Sequence, residues 1–186
     1  MNTVDLAISH AFNATKSLVI RPSIGVKEAT INQTINTDWN ATFLSFPIYT
    51  STEMLTNNFT GIGPELGING NWNFYKSFSL IGDVSTALLW GRWNVNDTYS
   101  RPSALFGLVR ATTINTKMTD AKLGTPMYQA FLGLQWMHES TYQIKFMLGY
   151  EMQYWANQLR VPTFQLLPLH GDLTLQGVTC GISVSL

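Results

Sequence analysis

Gly61, Gly63 and Gly67 stand close to the spacing of a phosphate-cradling glycine loop, in the run Gly61-Ile62-Gly63-Pro64-Glu65-Leu66-Gly67. Such a loop works where a strand precedes it and a helix follows. Pro64 opposes a helix, and apolar alternation continues through the run. The glycines are therefore expected to relieve crowding or allow a bend within a strand. His10, His138 and His170 have no ligand-like spacing to Asp, Glu or Cys and are expected at surface or loop positions. Cys180, the one cysteine, sits in an apolar row and reads as a small hydrophobe rather than a nucleophile. Asn13, Asn32, Asn40, Asn58 and Asn96 each open an Asn-x-Thr triplet. These could carry glycans in a secreted eukaryotic protein, but a chain rich in Asn and Thr produces such triplets by composition. No catalytic, metal-binding or cofactor-binding set emerges, so neither an enzyme nor a bound cofactor is expected.

The charges are more informative. Arg21, Glu65, Asp83, Lys145 and Glu151 each fall opposite a row of apolar residues. An Arg or Lys at a bilayer midplane costs about 2–4 kcal/mol. Five charged groups turned outward would rival the whole stability of a domain. They are expected to face an interior. In a wide barrel they would line a water channel and bias ion passage; in a narrow one they would pair and plug it.

These positions must be held by strands. In Thr141 to Trp155 the even residues Tyr142, Ile144, Phe146, Leu148, Tyr150, Met152 and Tyr154 are apolar or aromatic. The odd residues between them are mainly polar, as a strand with two unlike faces requires. The same alternation marks 17–26, 59–70, 76–93, 126–138 and 178–186, and more weakly 28–37. Residues 103–118 carry apolar residues on both faces and leave strand, loop extension and short helix open. About eight strands result. Asn69-Gly70-Asn71 and His138-Glu139-Ser140 are expected as tight turns. The stretches near 38–58, 94–102 and 161–171 are expected as external loops.

The chain has 186 residues, 45% hydrophobic but only 12% charged, about half the usual charge of a soluble domain. No run approaches the ~20 apolar residues of a membrane helix. Scarce charge, abundant aromatics and alternating strands fit a barrel with lipid on one face and water on the other. Eleven basic and eleven acidic residues balance, without the basic footprint of a nucleic-acid binder. The first residues show no basic and then apolar leader, so an export signal is expected upstream, or the chain is a fragment. Trp72, Tyr75, Trp90, Trp93, Trp136, Tyr142, Tyr154 and Trp155 lie near expected strand ends, where interfacial girdles form.

Four blocks carry a resemblance. They are Phe59-Thr60-Gly61-Ile62-Gly63-Pro64-Glu65-Leu66-Gly67; Phe78-Ser79-Leu80-Ile81-Gly82 with Ala87-Leu88-Leu89-Trp90-Gly91-Arg92; Gly149-Tyr150-Glu151-Met152-Gln153-Tyr154-Trp155 with Asn157-Gln158; and Gly171-Asp172-Leu173-Thr174-Leu175-Gln176-Gly177-Val178-Thr179. In order and spacing the chain resembles the C-terminal portion of the Legionella-type major outer membrane protein family, which also occurs in chlamydia-like bacteria. The resemblance implies a pore-forming β-barrel in the outer membrane, without a cofactor. It departs at Leu186, where such barrels usually end on an aromatic read by the assembly machinery.

The expectation is an all-β, antiparallel transmembrane β-barrel, forming a single domain over 1–186 or the C-terminal part of one. Its expected role is passive diffusion of small solutes or ions. The expected partners are outer-membrane lipid and, through the C-terminal strand, the barrel-assembly machinery, with no nucleic acid; homo-oligomer formation is left open. Two alternatives stand beside it: a small non-conducting structural or adhesive barrel, and a soluble secreted β-sandwich.

Overall fold

The computed structural model describes the chain except residues 44–45, 106–107, 140–142, 162–168 and 186. Side chains are described outside 41–49, 102–112, 120–123, 139–142, 161–170 and 185–186. The elements are β1 (Asn2–Ser9), β2 (Phe12–Asn13), β3 (Leu18–Phe43), β4 (Phe46–Tyr75), β5 (Phe78–Leu105), β6 (Leu108–Glu139), β7 (Gln143–Val161) and β8 (Leu169–Ser185). They form one antiparallel sheet in the order β1-β3-β4-β5-β6-β7-β8, with β2 continuing the line of β1 along β3. The outer neighbours, β1 and β8, have no ladder between them among the described residues.

Side-chain period explains which face is which. Ile62, Leu66 and Ile68 on β4 are exposed, as are Val84 and Leu88 on β5, Leu132 and Leu134 on β6, and Leu148 and Met152 on β7. The odd-numbered residues between them are buried or half-buried. A single sheet with its apolar row outward is the reverse of a soluble core. Among the described residues no second sheet covers that row, so the sandwich alternative fails.

The buried face is concave. Neighbouring strands lie ~4.8 Å apart, so β4 and β7, three steps apart, would sit ~14 Å from each other in a flat sheet. Yet the Asn57 side-chain amide (β4) donates to the Gln158 carbonyl oxygen (β7) at 2.6 Å. The roll also brings the edges together. Met1 and Thr3, on the β1 side, share a cavity of about 380 Å³ with residues 175–179 of β8. Gly63 permits one close approach in this sheet: a Cβ there would collide with the Leu88 carbonyl oxygen on β5. The glycine-rich run is thus inside β4, without a phosphate-loop helix.

Several sequence expectations need correction. Asn69-Gly70-Asn71 is no turn; it lies within β4, with Gly70 paired to both Ile20 and Gly82. The tight turn falls at Lys76–Ser77, where Lys76 takes a left-handed φ of 22°. His138 and Glu139 end β6, and Ser140 lies outside the described residues. The stretches expected as loops near 38–58 and 94–102 are largely ladder: Asp38 pairs with Thr52 and Asn94 with Thr119. Residues 18–26 and 28–37 belong to one strand, β3, and 108–118 and 126–138 to another, β6, while 103–105 end β5 and 106–107 lie outside the described residues. Polar pairs of this kind show little alternation because water meets both faces outside a bilayer.

Candidate functional site: the inner face

The five expected interior charges all project to the face opposite the apolar row. Arg21, Asp83 and Glu151 share one continuous register: Arg21 pairs with Asn69, Asn69 with Asp83, Asp83 with Phe131, and Phe131 with Glu151. Asn69 Nδ2 donates to Asp83 Oδ2 at 3.3 Å. Glu151 Oε1 accepts from Gln129 Nε2 at 3.1 Å and Gln153 Nε2 at 2.8 Å, while its Oε2 accepts from the Thr179 hydroxyl at 3.4 Å. Three donors thus fix the position of this half-buried carboxylate. Arg21 is exposed at the short-turn end, and Lys145 is half-buried between Met137 and Ser183.

Glu65 is brought together with a residue that sequence reasoning missed. Lys27, 1% exposed, reaches Glu65 Oε1 at 2.9 Å and Asp5 Oδ1 at 3.1 Å. Lys27 lies on the face opposite the exposed Ile24 and Val26, so alternation alone could have flagged it. The pair ties β1, β3 and β4 into one network.

The inner face is not polar throughout. Ala29, Ile31, Leu55, Phe59, Ala87, Leu89, Trp93, Val95, Met127 and Trp155 form a buried apolar cluster. Trp93 and Trp155, expected in an interfacial girdle, are fully buried members of it. Their odd positions place them on the inner face, which their nearness to strand ends did not reveal. Trp72, Tyr75, Trp90 and Trp136 are exposed on the apolar side, Tyr154 is half-buried, and Tyr142 lies outside the described residues. The Tyr154 hydroxyl donates to Asp172 at 2.5 Å. The rise from Ile62, paired to Trp90, up to Trp72 covers about 33 Å of strand, or about 25 Å at a ~40° tilt, the height of a barrel's apolar band.

Beyond that band, Glu53 and Asp97 face inward on the β4–β5 extension. Burial raises both carboxyls above their ordinary values, and the neighbouring Asp97 charge raises Glu53 further. A raised acid binds its proton more tightly when folded, so its stabilising effect is present at low pH and is lost as pH climbs through the raised value. Acidification from neutral pH down to the ordinary carboxyl range, about pH 4, is expected to slow amide exchange in this extension beyond the intrinsic pH effect. Glu53→Gln with Asp97→Asn should remove that extra slowing; an unchanged pH profile would assign it elsewhere.

An antiparallel sheet rolled with apolar side chains outward and charges inward defines the outer-membrane β-barrel class. A family model described as the Legionella pneumophila major outer membrane protein precursor matches residues 1–186, the whole chain. The chain belongs to that major outer membrane protein family, and its location is the bacterial outer membrane. No curated protein and no solved structure matches it.

Proposed function

We propose that the chain forms the wall of an outer-membrane pore for passive diffusion of small solutes or ions. The observation that carries this is the Arg21–Asn69–Asp83–Glu151 register, a polar row running round the inner face behind an apolar band. Outer-membrane lipid meets the band, with Trp72, Tyr75 and Trp136 at one rim and Trp90 and Tyr154 at the other. Filtering is steric, with a field from mixed charges that favours weak selection. No residue performs covalent chemistry and no cofactor takes part. The β8 edge is the surface offered to the barrel-assembly machinery.

Refolded protein in planar bilayers is expected to give discrete conductance steps. Asp83→Ala with Glu151→Ala should move reversal potentials toward anion preference. A second reading, a narrow non-conducting barrel, is favoured by the apolar cluster and by the Asn57–Gln158 contact across the interior. Silence from demonstrably folded protein would select it.

A further inference from the structure

The strand β7 carries a bulge near its end. From Gln143 to Trp155 its odd residues point inward, but the β7–β8 register shifts between Trp155 and Leu159. Asn157 takes a left-handed φ of 56°, which asparagine tolerates better than most residues. Its backbone N–H donates to Asp172 Oδ1 at 2.9 Å, pinning the bulge to β8. Past this point Gln158 and Arg160 are fully buried, and Leu159 between them packs against the buried apolar cluster.

They do not rest against their own neighbours. The Gln158 carbonyl accepts from Asn57 on β4, whose amide also donates to Gln33 Oε1 on β3 at 3.0 Å. The Arg160 guanidinium lies 4.0 Å over the Trp93 ring on β5, a cation–π distance. Trp93 packs on Phe59 with ring centroids 4.6 Å apart. A single bulged segment thus spans the interior, to strands two and three positions away. The level is also polar: both amide atoms of Gln158, Asn57 Oδ1 and Trp93 Nε1 are buried without hydrogen-bond partners. Such atoms are costly to leave without partners, and polar groups at a narrow level are what a hydrogen-bonding solute would meet there.

We infer that Gln158 and Arg160, turned inward by the β7 bulge against Asn57, Phe59 and Trp93, form the constriction that sets unit conductance for small polar solutes. This rests on the pore reading given above. The test is single-channel recording of the full chain. Trp93→Ala is expected to raise unit conductance about twofold or more, as conductance follows the narrowest cross-section. Because that change also opens the apolar cluster, a second variant avoids it. With Cys180→Ser on the outward face, Gln158→Cys should react with a charged methanethiosulfonate and lose most of its open-channel current. A conducting wild type, with Trp93→Ala unchanged or with current unaffected by the reagent at residue 158, would overturn the constriction and leave the pore standing. A silent wild type that conducts once Trp93 is removed would support it as a plug. Silence from every folded variant would overturn the pore reading and the constriction with it.

Discussion

Lys27→Ala is expected to destabilise the folded protein by about 3–5 kcal/mol, the cost of stranding a buried charge. Lys27 is 1% exposed and Glu65 8%, so removing the ammonium leaves a buried carboxylate without its partner. The Asp5 arm contributes far less, because that carboxylate's side chain is 45% exposed and water screens it. The contact still matters in one respect: it is a side-chain tie between β1 and the rest of the sheet. Urea midpoints of detergent-folded protein, followed by gel mobility of the folded band, should show the loss. Lys27→Met with Glu65→Leu should recover most of it, since a paired replacement leaves no orphan. Equal midpoints for Lys27→Ala and wild type would show that the pair carries no net stability.

Leu132→Arg is expected to cost about 2–4 kcal/mol, the penalty for arginine near a bilayer midplane. Leu132 is 60% exposed and lies midway along β6 between the exposed aromatics Tyr128 and Trp136. Gln129→Arg, on the other face and beside Glu151, should cost much less because the new charge meets a carboxylate. Folding titrations in bilayers of defined thickness would separate them. Equal penalties at both positions would mean that the outward row does not face hydrocarbon.

Alternation made the membrane-level strands legible. Thr141 to Trp155 predicts both the strand and its outward face, because lipid and interior impose opposite demands on neighbouring residues. The same logic located Arg21, Glu65, Asp83, Lys145 and Glu151 opposite the apolar row. It failed where those demands vanish. The ladder from Asp38 to Asn40 has no apolar alternation and reads as loop. Asn69-Gly70-Asn71 carries turn chemistry, yet its neighbours on both sides hold it extended. Phe131, which blurs its strand's pattern, points inward, where a Cβ on Gly133 or Gly149 would strike its ring. The constriction was invisible for a different reason: the bulge uses four residue steps of β7 against two of β8, so simple alternation stops at Trp155 and assigns no face to Gln158 and Arg160.

The order of the strands has a further consequence of parity. Each ladder in the sheet is antiparallel, so chain direction alternates from β1 to β8, and after six reversals both edges run the same way. A direct β1–β8 seam would therefore be a parallel ladder. A second copy inserted in the same sense would present its own edges in that same direction and gain nothing. An antiparallel seam takes an odd number of intervening strands, and the edges that meet across the cavity near Thr3 and Gly177 are where they would have to enter.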